Sequence, residues 1–322
     1  MRVLPVDVFF RDRREIYDLE LLTEKPTSAQ PITVREINRP GMCLAGFTGN
    51  FLHERIQILG ETEIHYLQTL TPAEIDAAVE RLVQFPLVCI VICKRLQPPE
   101  ALIRRANERG IPVLRTPKST TPFIHSLTEH LTVYFAPRES VHASLADVYG
   151  VGLLFTGRSG IGKSETALDL VERGHRLVAD DVVEVMRKAD DVLIGTGRKL
   201  LEHCMEIRGI GVIDVRAVFG INAIRIQKRI EVVVQLDDWE TAKEADRTGL
   251  AREETTILDV VVPRVIVPLN PGKNITVISE VVAMMHLLRY SGVDVAAAFN
   301  ARLIKRMKDQ RGVREYLQED YE

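Results

Sequence analysis

The stretch "TGRSGIGKSE", residues 156–165, constrains the fold more than any other part of the chain. It contains the pattern G-x-x-x-x-G-K-[ST], which runs from Gly157 through Gly162 and Lys163 to Ser164. An apolar run, "VGLLFT", precedes the pattern, and "KSETALDLVERG" follows it with helical spacing. A strand, a glycine loop and a helix N-terminus in this order form a cradle for phosphate. The pattern therefore predicts a nucleotide site, with Lys163 on the β and γ phosphates and Ser164 on Mg²⁺.

Two adjacent aspartates follow in "RLVADDVVEVMRKADDVLIGTG". We predict a strand over 176–179 that ends at Asp180 and Asp181, where carboxylates can serve a metal or a proton transfer. Because neighbouring strand residues point to opposite faces, at most one of the two points directly at the phosphates, and the other can bond to groups behind it. A polar turn is the alternative interpretation. The remaining residues predict two strands around a turn at 189–191, and hence a mixed sheet.

The first half of the chain alternates predicted strands and helices. The segments "RIQILG", "PLVCIVIC" and "IPVLRT" predict strands, and "TPAEIDAAVERLVQF" and "PPEALIRRANERG" predict helices. Thr71, Pro72 and Glu74 form a capping box that places the start of the first of these helices. Apolar strands between amphipathic helices are typical of a parallel sheet covered on both faces. A linker near Pro137 predicts two domains, 1–136 and 137–322.

The composition excludes several classes of protein. A formal net charge of −3 provides no broad basic field, so we expect neither nucleic acid nor a membrane surface as a partner. The N-terminus lacks a signal peptide and no apolar run reaches about 18 residues, which predicts a cytoplasmic protein. The four cysteines, Cys43, Cys89, Cys93 and Cys204, are too scattered for a disulfide framework. Cys89 and Cys93 are predicted to lie in the core.

Five motifs in a fixed order carry a resemblance to a known family. They are "SVHASLADVYGVGLLFTGRSGIGKSE", "LVADDVV", "MEIRGIGVIDV", "EADRTGL" and "VPLNPGKN", and they span roughly residues 140–275. In these motifs the chain resembles the HPr kinase/phosphorylase family. The resemblance implies an α/β fold with an N-terminal Rossmann-like parallel domain. It also implies a C-terminal P-loop kinase domain with a mixed sheet, related to phosphoenolpyruvate carboxykinase.

The resemblance also implies an activity. The enzyme would phosphorylate a serine of HPr, the phosphocarrier of the sugar phosphotransferase system, with ATP or also pyrophosphate as the donor. In reverse, inorganic phosphate would remove the group as pyrophosphate, and the two reactions together would regulate carbon metabolism. A homohexamer is implied as well.

By the same resemblance, the catalytic residues are His142, Lys163, Asp181 and Arg247, and Ser164 and Glu206 are the Mg²⁺ ligands. Asp181 would take the proton from the substrate serine and return it in the reverse reaction. The residues implied to contact ATP are those of the loop: Gly157, Arg158, Ser159, Gly160, Ile161, Gly162, Lys163 and Ser164.

Some of these residues also have a structural interpretation. His142 follows the linker and is also typical of a surface histidine, as lone histidines usually are. Glu206 could pair with Arg208 on one strand face, and Arg247 lies in a charge-dense stretch typical of a solvated surface. Asn270 and Lys273 stand where family members commonly have arginines, which predicts a weaker reverse reaction.

Two other functions remain open at this point. A P-loop kinase of a small metabolite would need an acceptor pocket within the chain. An ATP-binding regulator would change shape and transfer nothing, with the N-terminal domain as its output.

Overall fold

The computed structural model describes residues 2–188, 191–198, 203–207, 209–238, 253–269, 272–293, 298–299 and 301–307. The chain divides into two compact units, Met1–Ala136 and Pro137–Glu322. Each unit combines helices and strands and has its own hydrophobic core. Within the described ranges, none of the helices combines the length and the apolar character that crossing a bilayer requires.

The first unit is built on a five-stranded sheet. Its strands are β1 (Glu20–Leu21), β2 (Ile37–Asn38), β3 (Ile56–Leu59), β4 (Ile90–Ile92) and β5 (Val113–Arg115). Its helices are α1 (Val6–Tyr17), α2 (Gly41–Leu44), α3 (Glu61–Gln68), α4 (Pro72–Val83), α5 (Glu100–Arg109) and α6 (Thr120–Phe135). The strand order is β1-β5-β4-β3-β2. Strands β2 to β5 run parallel, and β1 adds an antiparallel edge to the predicted parallel sheet.

Alternation along the strands divides the core of this unit into two layers. Ile58 and Val91 pack with side chains of α1 and α6, whereas Leu59 and Ile92 pack with side chains of α3, α4 and α5. Successive strand residues point to opposite faces of a sheet, so each strand contributes to both layers. The sheet is therefore covered by helices on both sides, as its continuous apolar strands predict.

Two local predictions in this unit are confirmed. The backbone N–H of Thr71 donates to Oε2 of Glu74 over 2.8 Å, and Pro72 is the first residue of α4, as in the predicted capping box. Cys89 and Cys93 are fully buried beside β4. Because burial raises the pKa of the Cys89 thiol to about 12, this side chain stays protonated and packs as an apolar group.

The second unit has more strands than helices. Its first strands are β6 (Arg138–His142), β7 (Ser144–Val148), β8 (Val151–Thr156), β9 (Arg176–Ala179), β10 (Val182–Lys188) and β11 (Val192–Gly197). They are followed by β12 (Cys204–Ile207), β13 (Gly211–Asp214), β14 (Gln227–Arg229), β15 (Val232–Asp238), β16 (Glu253–Ile257) and β17 (Val260–Leu269). Its helices are α7 (Lys163–Glu172), α8 (Val215–Phe219) and α9 (Ile275–Tyr290).

Three sheets form from these strands. The six-stranded sheet, in the order β16-β17-β15-β8-β7-β9, is mixed, because β8, β15 and β17 are parallel and the other neighbours are antiparallel. The four-stranded sheet, β14-β11-β10-β6, is antiparallel, and β12 and β13 form a hairpin. The predicted hairpin is present as β10 and β11, but it lies in the antiparallel sheet. Mixed pairing occurs in the other sheet.

The six-stranded sheet lies between the four-stranded sheet and two helices. Leu154 and Val233 face a layer that includes Val183 of β10, whereas Phe155 and Val234 face a layer with side chains of α7 and α9. The predicted apolar run before the glycine loop is β8. A turn at residues 149 and 150, both with positive φ, makes β7 and β8 a hairpin.

Candidate active site

The glycine loop, residues 157–162, connects β8 to α7 and is shaped by its glycines. Gly157 has φ +140°, and a Cβ at this position would lie 2.5 Å from the carbonyl oxygen of Leu236 on β15. Gly160 and Gly162 also have positive φ, at +74° and +107°. Positive φ strains residues with a side chain, and the approach to Leu236 leaves no space for one. The glycine spacing in the sequence therefore corresponds to positions where the backbone requires glycine.

Three contacts hold this loop in place. Ile161 is buried between the six-stranded sheet and the helices, and the hydroxyl of Thr166 donates to the carbonyl oxygen of Gly162 over 2.7 Å. The guanidinium of Arg158 donates two hydrogen bonds, of 2.8 and 3.0 Å, to the carboxylate of Asp238 at the end of β15. The loop is thus fixed to the core, to its helix and to the neighbouring strand.

Positive charge is concentrated at the mouth of the loop. The ammonium of Lys163 donates to the carbonyl oxygens of Gly157 and Arg158 over 3.1 and 3.2 Å, and so lies across the loop. Gly162 is the N-cap of α7 and provides no side chain to cap the first turn. The N-terminal N–H groups of a helix carry a partial positive charge and bind anions. The loop and the lysine together form a site for phosphate groups.

The carboxylate of Asp180 is buried beside this site. Its Oδ1 accepts a hydrogen bond of 2.5 Å from the hydroxyl of Ser144, and the residue is 7% exposed. Burial raises the pKa of the Asp180 carboxyl above its ordinary value, while hydrogen bonding from Ser144 and Ser164 opposes the rise. The contact with Ser164 places Asp180 next to the first turn of α7. Asp180 and Asp181 lie in the bend after β9, and Asp180 is the one that bonds to neighbouring side chains, Ser144 and Ser164.

Asp181 points the other way, into solvent. Its φ is +62°, so the chain turns sharply between β9 and β10, and its side chain is 67% exposed. Oδ1 of Asp181 lies 3.7 Å from Nδ1 of His142, at the end of β6. The carbonyl oxygen of Asp181 accepts from the N–H of Ala143 over 3.2 Å. The fold therefore brings together two predicted catalytic residues, His142 and Asp181, at an accessible surface beside the glycine loop.

The residues around Ser164 fit a magnesium ion bound with a nucleotide. Oδ2 of Asp180 is buried and has no hydrogen-bond partner among the described residues. Mg²⁺ prefers oxygen ligands and is commonly bound by one or two carboxylates together with substrate phosphates. In the described part of the chain, no group of three or more His, Cys, Asp or Glu side chains could hold a metal. Asp180 and Ser164 would therefore hold Mg²⁺ jointly with phosphate oxygens.

Glu206, the second predicted metal ligand, lies on the hairpin of β12 and β13. Its neighbour Met205 is buried with side chains of α7, whereas Glu206 is exposed and pairs with Val212 on the outer face. Its role as a ligand stays a prediction. Arg208, Arg247 and Asn270 lie outside the described residues. Lys273 follows Gly272, whose φ is +89°.

Ser144 is the residue at this site that the sequence reasoning did not identify. It is the first residue of β7, "SLADV", in which all five residues are buried. The sequence pattern therefore does not distinguish Ser144 from its neighbours, and the one clue is that a polar serine begins a buried strand.

Two family profiles and several curated proteins match this chain. The sequence profile described as HPr Serine kinase N terminus matches residues 7–131, and the profile of the HPr Serine kinase C-terminal domain matches residues 133–303. A protein of Chloroherpeton thalassium named HPr kinase/phosphorylase is 46% identical over 94% of this chain and 92% of its own length. One of Geobacillus kaustophilus with the same name is 43% identical over 93% of this chain and 96% of its own.

A solved structure, the Hpr(Ser) kinase/phosphatase from Coxiella burnetii, is 32% identical and covers 50% of this chain and 98% of that one, with a TM-score of 0.46. The two profiles and the curated relatives span both units of the chain. The chain belongs to the HPr serine kinase family.

Proposed function

We propose that the chain is a protein-serine kinase that transfers the γ-phosphoryl group of ATP to a serine of HPr, and that it also catalyses the phosphorolytic reverse reaction. The names of the relatives, which match over more than nine tenths of this chain, support this substrate. The assignment of ATP rests on the glycine loop and the position of Lys163.

One observation carries the proposal: the two adjacent aspartates occupy opposite environments beside one phosphate site. Asp180 is buried against Ser164, and Asp181 is exposed next to His142. An exposed base can reach a hydroxyl that belongs to another protein, whereas a small-molecule kinase needs its base within a pocket. The accessible position of Asp181 therefore favours a protein acceptor.

In the forward reaction the residues have separate roles. Asp181 accepts the proton of the serine hydroxyl as the serine oxygen bonds to the γ-phosphorus, and the bond to ADP breaks. Lys163 and, by the resemblance, Arg247 stabilise the negative charge on the transferred group. Ser164 and Asp180, with Glu206 by the resemblance, would hold Mg²⁺. When bound, Mg²⁺ supplies neutralisation of the charge on the phosphates.

In the reverse reaction an oxygen of inorganic phosphate bonds to the phosphorus of phosphoserine. The bond to the serine oxygen breaks, Asp181 returns the proton to that oxygen, and pyrophosphate leaves. An arginine at position 270 or 273 could bind the incoming phosphate with two parallel hydrogen bonds, but Asn270 is uncharged and Lys273 is a point charge. We expect this reaction to be slower than the kinase reaction. Pyrophosphate released from phosphorylated HPr by the wild-type chain and by Asn270→Arg tests this.

The wider assignments belong to the same proposal. They are the Rossmann-like character of the first unit, the relation of the second unit to phosphoenolpyruvate carboxykinase, use of pyrophosphate as a donor, a homohexamer, a cytoplasmic location and a role in regulating carbon metabolism. The functional division into domains 1–136 and 137–322 is also proposed.

Incubation of the protein with ATP labelled at the γ-phosphate, Mg²⁺ and purified HPr tests the kinase activity. We expect the label on a single serine of HPr, and a panel of HPr variants with one serine replaced by alanine at a time provides the matched controls. A labelled small molecule from a lysate, with HPr unlabelled, would show a metabolite kinase instead. ATP binding without transfer to any acceptor would show a regulator.

A further inference from the structure

Ser144 is a buried serine to which the proposed reaction assigns no role. It is 0% exposed and lies on β7, an inner strand of the six-stranded sheet. Its hydroxyl donates to Oδ1 of Asp180. Burying a hydroxyl in apolar surroundings costs free energy unless a hydrogen bond compensates. The carboxylate of Asp180 provides that compensation, so the two residues are buried as a pair.

An irregularity in the sheet aligns this pair. The register between β7 and β9 changes within two residues, because the paired residues are Ala146 with Leu177 and then Leu145 with Ala179. Regular pairing from Ala146 would place Ser144 opposite residue 179. The extra residue on β9 moves Ser144 opposite Asp180 instead. Bulges of this kind re-aim side chains and are frequent beside active sites.

The pair leaves one carboxylate oxygen of Asp180 without a partner. Ser144 occupies Oδ1, whereas Oδ2 is buried and has no hydrogen-bond partner in the described ranges. A buried polar atom without a partner is costly, and a bound cation would remove the cost. Because a carboxylate can rotate about its bond to Cβ, the hydrogen bond from Ser144 determines which oxygen stays available.

We propose that Ser144 is a positioning residue of the phosphate site. Its hydroxyl holds Oδ1 of Asp180, so that Oδ2 remains available to a divalent cation that binds with the nucleotide beside Ser164. The inference rests on the proposed function in so far as residues 157–164 bind a nucleotide with Mg²⁺. Removing the partner that orients a metal ligand typically weakens metal affinity or activity by about 10- to 100-fold.

The test measures binding of a fluorescent ATP analogue to the full-length protein, first in EDTA and then during a titration with Mg²⁺. Ser144→Ala should need about 10- to 100-fold more Mg²⁺ for half-maximal enhancement of binding, while its affinity in EDTA stays at the wild-type value. Ser144→Thr, which keeps a hydroxyl, should restore much of the wild-type Mg²⁺ requirement. The matched control is Ser140→Ala, because Ser140 also donates to a carboxylate, Oε1 of Glu184, but at an exposed position.

A double variant shows whether Ser144 acts through Asp180. In an Asp180→Asn background, Ser144→Ala should change the Mg²⁺ requirement by less than about 2-fold, because the group that it orients is no longer a carboxylate. Equal losses in EDTA and in Mg²⁺ would show a merely structural role and overturn the inference. A wild-type Mg²⁺ requirement in Ser144→Ala would overturn it too.

If Ser144→Ala does not fold, Ser144→Cys replaces it in the same titration. A thiol is a weak hydrogen-bond donor, so the Mg²⁺ requirement should rise, and a wild-type value would overturn the inference. A wild-type protein that binds no nucleotide in either condition would refute the proposed function itself. A wild-type protein that binds nucleotide, together with an unshifted Ser144→Ala variant, would refute the role of Ser144 alone.

Discussion

The two ends of α7 differ in what their side chains contact. At the first turn, the ammonium of Lys163 contacts carbonyl oxygens of the glycine loop. Just past the last turn, Arg173 and His175 both bind the carboxylate of Glu280 on α9. Arg173 donates two hydrogen bonds of 2.9 and 2.7 Å, and Nε2 of His175 lies 3.0 Å from Oε1. The ring of Tyr149 meets that of His175 edge to face, with centroids 4.7 Å apart. Polar groups at the start of α7 thus lie at a candidate binding site, whereas those just past its end are paired with one another.

The two ends of α7 are expected to serve different purposes, ligand binding at the first and stability of the fold at the second. At the glycine loop, the first N–H groups of α7 and the ammonium of Lys163 can bind a ligand. Polar groups without a full set of partners in the protein are expected at such binding sites. At the other end, the carboxylate of Glu280, only 6% exposed, is matched by three side chains, those of Arg173, His175 and Tyr149. Changes at the first end should therefore affect turnover, and changes at the second end should affect the free energy of unfolding.

Lys163→Ala should produce the largest effect. Among the described residues its ammonium hydrogen-bonds to carbonyl oxygens of the loop. Phosphoryl transfer depends on charge stabilisation by such groups, so kinase turnover should fall by about 10²- to 10³-fold. The midpoint of thermal unfolding should stay within about 2 °C of wild type, since surface changes alter stability by less than about 0.5 kcal/mol. Lys188→Ala, at the exposed end of β10, is the control. Normal transfer by a folded Lys163→Ala protein would refute the assignment of the loop.

Asp181→Asn should come next. Loss of a general base lowers turnover by about 10²-fold or more, while binding of the Mg²⁺–nucleotide complex should stay normal because Asp181 is exposed and Asp180 is intact. Single-turnover transfer and nucleotide affinity, measured in the same preparation, separate the two effects. A greater loss of transfer in Asp180→Asn with normal Mg²⁺–nucleotide affinity would reverse our assignment of the two aspartates.

Glu280→Gln should destabilise the second unit and leave the chemistry intact. The substitution removes the charge that Arg173 and His175 share, and hydrogen bonds to charged groups contribute about 2 kcal/mol. The midpoint of unfolding should fall by about 4–8 °C, with kcat and KM for ATP within about 2-fold of wild type. Glu172→Gln, on the exposed last turn of α7, should change neither. Loss of turnover without loss of stability would mean that this end of the helix also serves the reaction.

The pH dependence of this destabilisation should be the smallest effect. Arg173 and then His175 lower the pKa of the Glu280 carboxyl from its ordinary 4.5 to about 2. A carboxyl with a lowered pKa in the folded state contributes its full stability above 4.5, and the contribution is lost as the pH falls towards 2. The difference in unfolding midpoint between wild type and Glu280→Gln should be constant from pH 8 to pH 5 and shrink below that. A difference that grows on acidification would contradict the ion pair.

Much of the second unit follows from local sequence. The predicted strand over 176–179 is β9 itself, and the predicted hairpin is present as β10 and β11.

Helix α3 of the first unit was not predicted, because its start depends on distant contacts. Its N-cap is Gly60, whose N–H donates to Oε2 of Glu63, and that same oxygen accepts from Arg39, which lies 24 residues before Glu63. A pattern within a short stretch of sequence gives no information about a hydrogen-bond partner that lies so far away along the chain.

By itself, the sequence determined the glycine loop and the family. Positive φ is a demand of the local backbone, so the spacing of Gly157 and Gly162 before Lys163 is visible without a structure, whereas the close approach of Gly157 to Leu236 of β15 is a tertiary contact. Only the tertiary structure decided which aspartate is buried. Asp180 and Asp181 are chemically identical neighbours, and their environments differ because the register shift between β7 and β9 brings Ser144 to one of them. Strand register is set by packing between distant segments, which residue type and spacing do not specify.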